Sequence, residues 1–404
     1  MNEPTPAGVP ALDIDPFSDE FLTDPYADHE RMRAAGPVVW LTKYGIYATA
    51  RHEEVRAVLN DHQTFISSAG VGLANFHKEE PFRPKSLILE ADPPDHTRAR
   101  TVLARILSPK TVMQIRENFQ KEADVLLDRV VAKAAKEGVV DGVTELSEVY
   151  PLKVFPDAVG LEEKGRENLL LYGNMIFNAF GPRNERLRRS AELVQPVTSW
   201  IMEHCQRENL RPGGFGDQIY QAADAGEISH KEAPMLVRSF LSAGVDTTVN
   251  GIGNALLCLA QNPGEYEKLR ADLSLARPAF EESLRLESSV QTFFRTTARD
   301  TELAGVRIPA DSKVLTFLAA ANRDARQWPD PERFDITRRP AGHMAFGSGI
   351  HGCVGQVLAR LEGELILTGL ARRAKRIELA GTPKRRLNNT LRALASLPLR
   401  LVPA

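Results

Sequence analysis

Residues Phe346-Gly347-Ser348-Gly349-Ile350-His351-Gly352-Cys353-Val354-Gly355 set four glycines around one cysteine, and an amphipathic helical pattern follows from Gln356. Glycines permit positive φ and let a flat ligand approach the backbone closely. A thiolate just ahead of a helix start gains from free backbone N–H groups and from the helix dipole. The same donors restrain the sulfur and set how much electron density it gives to a metal. Read alone, the loop fits either a tight turn around an inert thiol or a ligand site. Zinc fits poorly, because no second cysteine or clustered histidine completes a four-ligand set.

The rest of the chain narrows the frame. Its 404 residues show no linker-like tract and no fixed-period repeat, so one domain spanning 1–404 is expected. A composition of 43% hydrophobic and 26% charged residues suits a large packed core. A net charge of −2 gives no reason to expect nucleic acid or an anionic membrane as partner. The N-terminus lacks a basic segment followed by an apolar run, and no stretch of about 18 apolar residues occurs. Three cysteines, Cys205, Cys258 and Cys353, do not make a disulfide framework and fit a reducing cytoplasm. Cys258 sits in an apolar run and reads as core; Cys205 has no evident role.

Helical periodicity dominates. Ile115, Phe119, Ala123, Leu126, Leu127 and Val130 form a 3.6-residue stripe, opened by Ser108-Pro109 as N-cap and first-turn proline. Pro234 to Gln261 is predicted as one helix, about 40 Å long if unbroken. Strand signals are few. Val38–Leu41 and Ile46–Thr49 flank a turn at Lys43-Tyr44-Gly45, and Lys313–Phe317 is another candidate. The chain is expected to be mainly α with a small sheet.

The ten-residue loop resembles, position by position, the haem-binding loop of the cytochromes P-450. The resemblance implies haem b (iron protoporphyrin IX) as cofactor and Cys353 as the iron's axial ligand, this class being thiolate-ligated. It implies that Phe346 packs near the sulfur, that Gly347 and Gly355 border the haem, and that His351 reaches a propionate. Other motifs follow in the family's order. Glu282 and Arg285 stand at i and i+3, on one side of a helix, and match a pair that the family buries as a structural tie. Asn322-Arg323-Asp324, Trp328, Asp330-Pro331 and Phe334-Asp335 match the segment before the haem loop. His96, Arg100 and Arg295 are the further propionate candidates, His96 and Arg100 sharing a helical face at i and i+4. The fold implied is a triangular prism of helices with a small β-sheet region.

The stretch Ser242-Ala243-Gly244-Val245-Asp246-Thr247-Thr248 suits a core helix badly. Glycine costs about 1 kcal/mol in a helix, and Asp and Thr side chains compete for backbone bonds. By resemblance it is an oxygen-binding groove, with Asp246 relaying protons and Thr247 holding an ordered water. Several further stretches are similar to the bacterial subfamily that oxidises para-substituted benzoates. Carried over by resemblance, Arg83, Ser86, Arg238 and Ser239 would bind a carboxylate. Phe177, Phe180 and Phe293 would wall a flat slot, and Leu89, Val290, Ser242 and Ala243 would complete it. O-demethylation of 4-methoxybenzoate is the expected reaction. The alternatives are a same-fold monooxygenase for a terpenoid or another natural product, and a non-catalytic haem sensor. No Gly-x-Gly-x-x-Gly fingerprint is present. Electrons are therefore expected from a separate two-iron two-sulfur ferredoxin, reduced by an NADH-dependent flavoprotein reductase. Arg338, Arg339, Arg360, Arg372 and Arg373 are its candidate docking face.

Overall fold

The computed structural model describes residues 5–81 and 83–404. The helix Pro109–Glu137 begins as expected, with Ser108 Oγ accepting from the Thr111 amide at 3.3 Å and Pro109 in the first turn. It buries Val112, Phe119, Ala123, Leu126, Leu127, Val130 and Ala134, and packs on the helix Gln356–Arg373 that follows the cysteine loop. Fully burying one such leucine or phenylalanine stabilises by about 1.5–3 kcal/mol. Truncating Leu127 to alanine would cost about 2–5 kcal/mol. Gln356–Arg373 packs in turn on Ala276–Leu286, which lies against Asp246–Gln261. From Thr248 to Ala260 every residue of that last helix is buried, so it runs through the interior.

The expected single helix from Pro234 to Gln261 is instead two, Ala233–Ala243 and Asp246–Gln261, interrupted at Gly244-Val245. A Cβ on Gly244 would lie 2.2 Å from the Phe155 ring, so only glycine lets the chain pass there. The Thr247 hydroxyl donates to the Ala243 carbonyl at 2.9 Å, occupying an acceptor that an unbroken helix would pair internally.

The main sheet has six strands, in the order Ala11–Leu12, Val39–Leu41, Ile46–Thr49, Lys313–Phe317, Thr292–Thr297, Phe65–Ile66. The expected hairpin forms with Val39 opposite Ala48, and Gly45 in its turn has φ +62°. Thr292–Thr297 runs antiparallel to Lys313–Phe317, with Phe293 opposite Thr316. Side chains alternate along a strand. Phe294 therefore enters the core, while Phe293 and Arg295 reach the main cavity.

Glu282 and Arg285 are fully buried. The guanidinium donates to both carboxylate oxygens at 2.8 Å and to the carbonyls of Asn322, Pro331 and Arg333. Glu282 also accepts from the Asp335 amide and from Arg338. Asn322 accepts from the Met344 amide at 2.6 Å. The pair thus holds the segment that leads into the cysteine loop.

Candidate active site

The loop 346–355 turns tightly, with Gly347 and Gly349 at φ +68°. At Gly349 a Cβ would meet the Leu59 carbonyl at 2.4 Å, which leaves room for no other residue. The Cys353 amide donates to the Phe346 carbonyl at 2.8 Å, closing the loop and opening the sulfur onto the cavity. Burial pushes the thiol's pKa up; the Gly355 amide, Arg100, Arg360 and the Gln356 amide pull it down. Arg360 stacks 4.5 Å over the Phe346 ring and is ion-paired to Glu281, which His343 also holds.

At one edge of the cavity that Cys353 lines, basic side chains gather that form no ion pair among the described residues, with Asp92 the anion whose charge reaches them. His96 and Arg100 come from the helix Asp95–Ile106, Arg295 from its strand, and His351 from the loop. The His96 and His351 rings lie 4.3 Å apart. Neither ring nitrogen of His96, nor Nε2 of His351, has a hydrogen-bond partner among the described residues. Among the described residues Arg295 donates a hydrogen bond to the Phe294 carbonyl at 2.8 Å. Burial lowers the affinity of all four for protons: His351 is pushed down to about 3 and Arg295 to about 10, with His96 and Arg100 also lowered. Orphaned donors crowded at one edge of a cavity fit a ligand that brings carboxylates. A haem with its two propionates has that chemistry, and Cys353 lies on the same cavity wall.

Across the cavity, Asp246 is buried and Thr247 lines the wall. Asp246 Oδ1 accepts from Arg386 at 2.7 Å, while Oδ2 and the Arg386 Nε lack partners among the described residues. Burial raises the Asp246 pKa and Arg386 opposes the rise.

The cavity encloses about 410 Å³ and runs on between Phe177, Phe180, Phe293, Leu89, Val290, Ser242 and Ala243. Phe180 packs edge-on to Phe177 and tilted against Phe293, with centroids 5.7 and 5.8 Å apart. Arg238 is buried and donates to the Lys85 carbonyl at 2.9 Å; no carboxylate among the described residues pairs with it. Ser86 Oγ accepts from the Leu89 amide, which leaves its hydroxyl hydrogen for the cavity. The other expected carboxylate contacts are already engaged. Arg83 makes a bidentate pair with Glu90 at 2.7 and 2.8 Å, and Ser239 Oγ donates to the Met235 carbonyl.

A sequence model described as cytochrome P450 matches residues 161–397. Cytochrome P450 CYP199A2 of Rhodopseudomonas palustris is 58% identical over 398 residues, 98% of this chain and 96% of that protein. The chain belongs to the cytochrome P450 family. 6-Deoxyerythronolide B hydroxylase of Saccharopolyspora erythraea is 31% identical over 406 residues, 95% of this chain and 98% of that one. The solved cytochrome P450 CYP109Q5 from Chondromyces apiculatus superposes with a TM-score of 0.81 at 32% identity, covering 97% of this chain and 99% of that one. This P450 is therefore a haem-dependent monooxygenase, and its mainly helical architecture with small sheets is the P450 fold. No helix among the described residues is long and apolar enough to cross a membrane.

Three features of this P450 lay outside the sequence expectations. Arg386 pairs with Asp246 across 140 positions, which no local pattern signals. Glu362 lies buried on the cavity wall with Oε2 unpartnered, its pKa raised well above the usual by burial. Three of the five arginines expected to form a docking face are committed internally: Arg338 to Glu282, Arg360 to Glu281, and Arg373 to Asp124 and Asp128. Among those five, Arg339 and Arg372 remain exposed.

Proposed function

We propose that this P450 oxidises small aromatic acids with a para substituent, and that it converts 4-methoxybenzoate to 4-hydroxybenzoate and formaldehyde. The observation that carries the reading is Arg238: a buried guanidinium with no carboxylate partner among the described residues, in a slot walled by three phenylalanines. An unpaired buried charge is costly, and an anionic ligand relieves it. Each charge-assisted hydrogen bond to the acid contributes about 1.5–3 kcal/mol. The phenylalanines take a planar ring by stacking or edge contacts, about 0.5–1.5 kcal/mol each.

Bound haem supplies the activation of dioxygen, with Cys353 as its thiolate ligand and His96, Arg100, Arg295 and His351 holding its propionates. The remaining work falls to the chain. Arg238 and Ser86 hold the carboxylate, so the ring presents its para substituent toward the Cys353 side, and that position selects the carbon oxidised. The phenylalanines exclude water around the ring. Asp246, with its raised pKa, takes a proton from the Arg386 side and releases it toward Thr247. Because the Thr247 hydroxyl donates to Ala243, its oxygen faces the cavity as an acceptor and orients a proton-carrying water there. Hydroxylation at the methoxy carbon gives a hemiacetal, which collapses to the phenol and formaldehyde. Electrons come from a two-iron two-sulfur ferredoxin and an NADH-dependent reductase, in the cytoplasm.

The test is the absorbance spectrum of the purified holoenzyme with and without 4-methoxybenzoate, then reduced under carbon monoxide. A shift to high spin with the acid, together with the thiolate-type carbon monoxide band, is expected. That band with no benzoate response, and a response to neutral terpenoids, would reject the aromatic-acid reading. Turnover without peroxide release in Thr247→Ala would remove the role given to Thr247.

A further inference from the structure

Glu90 has no part in the scheme above, yet it stands in the wall of the same cavity. Its side chain is 0% exposed and that of Arg83 is 10% exposed. Arg83 donates to both Glu90 oxygens, and the Ser86 amide donates to Oε2 at 3.0 Å. The Arg83 guanidinium lies 5.1 Å over the Phe180 ring, so the pair touches the aromatic slot itself. Arg238 donates to the carbonyls of Pro84 and Lys85, in the same 83–90 segment. Two guanidinium groups and one carboxylate therefore line this end of the slot, and their charges sum to one positive charge.

We infer that Glu90 is a specificity-determining residue: by neutralising Arg83 it fits the pocket to a single negative charge and turns away dianionic aromatics such as aryl phosphates. The inference rests on the aromatic-acid reading of the pocket. A monocarboxylate matches Arg238, the guanidinium at this end of the slot that no carboxylate pairs with among the described residues. A dianion brings a second charge into a poorly hydrated wall where its counter-charge is already spent on Glu90, and Glu90 repels it as well. The ring is the same in both ligands, so the difference lies in the charge alone, and Glu90 decides whether the wall carries one net positive charge or two. Glu90→Gln keeps the side chain's shape and one carbonyl acceptor, while it frees Arg83 to act as a second anchor.

The experiment titrates holoenzymes at pH 8 with 4-methoxybenzoate and with 4-methoxyphenyl phosphate, a dianion at that pH because its second pKa is about 6. Dissociation constants are read from the spin-state shift, or by competition where the phosphate gives no shift of its own. The wild type should prefer the benzoate, and Glu90→Gln should reduce that preference at least about tenfold, chiefly by tighter phosphate binding. The double variant Arg83→Gln/Glu90→Gln removes the freed cation and should restore the wild-type ratio. A ratio in Glu90→Gln within twofold of the wild type overturns the inference, as does a double variant that keeps the altered ratio. If Glu90→Gln fails to retain haem, Arg83→Gln serves instead. It leaves Glu90 unneutralised and should weaken benzoate binding about tenfold or more; unchanged binding overturns the inference. A wild type that binds neither ligand sinks the aromatic-acid reading and this inference together. A wild type that binds benzoate while the variants leave the ratio unmoved sinks this inference alone.

Discussion

The Glu282–Arg285 pair and the Arg83–Glu90 pair are both bidentate, with bonds of 2.7 to 2.8 Å, and both are largely withdrawn from water. Beyond the pair itself, Arg285 reaches three carbonyls that lie 37 to 48 positions away. Among the described residues Arg83 reaches beyond the pair only its neighbour Pro84, and its Nε has no partner among them. A buried ion pair by itself is weak evidence of stabilisation, because desolvation offsets its Coulomb attraction. What separates the two is the number of distant backbone groups each satisfies. The first ties segments of the fold together; the second sets the charge of a cavity wall. The contrast extends to their surroundings: the cavity wall also holds Arg238, which no carboxylate pairs with among the described residues, and next to Thr247 of that wall the buried Asp246 has one oxygen without a partner among them.

The strongest test of that contrast is Arg285→Leu. It strands Glu282 and three carbonyls in the interior, so the loss should be about 3–5 kcal/mol or more, seen as little haem-loaded protein and a lower Tm. Arg285→Lys should rescue little, because one ammonium cannot reproduce a planar fork. A lysine variant that melts with the wild type would break the comparison.

Asp246→Asn tests the wall side. The amide cannot carry a proton as the buried acid does, so product formation should slow about hundredfold, within the usual range for a general acid. Solvent isotope effects on turnover should rise, with the Tm nearly unchanged. An unaltered rate would mean that the Arg386 contact, and not proton transfer, explains why this acid is buried.

Arg238→Leu should raise the Kd for 4-methoxybenzoate about tenfold to hundredfold, the worth of one or more charge-assisted bonds, with little effect on the Tm. Equal losses in affinity and in Tm would place Arg238 with Arg285 as a structural tie and blur the two classes.

Which of these features the sequence revealed follows from how local their causes are. Glu282 and Arg285 stand at a spacing that defines a helix face, and the cysteine loop is contiguous, so both patterns were visible, while their roles came from the family resemblance that the patterns carry. The hairpin at Gly45 and the cap at Ser108 are also local. The stretch around Gly244 was legible as a poor core helix but not as a break, and the Phe155 ring that requires glycine there comes from a distant helix. Arg386 could not be assigned to Asp246 because the two meet only through the tertiary fold. Arg83 and Glu90 are seven residues apart in a segment without helical or strand period, so no face rule joins them, and the resemblance pointed Arg83 at the substrate carboxylate instead.

Lys313 separates a buried charge that is costly from one that is tied in. Its ammonium donates to the carbonyls of Gly70 and Ala69 at 2.7 and 3.2 Å, yet no carboxylate pairs with it among the described residues. Burial pushes its pKa down from 10.5 to about 7; Glu90 opposes the fall and Arg295 adds to it. Below about pH 7 the group is charged in both the folded and the unfolded chain, and the folded state bears the full cost of burying that charge. Above pH 10.5 it is neutral in both, and the cost is gone. Between those values the unfolded chain binds more protons, so stability rises with pH through this group. Lys313→Met should therefore flatten the rise in the urea midpoint between pH 7 and pH 9.5, in the direction of greater relative stability at the lower pH. The same slope in both proteins would show that the two carbonyls compensate the charge fully. Lys313 would then belong with Arg285, as a cation that its backbone partners satisfy.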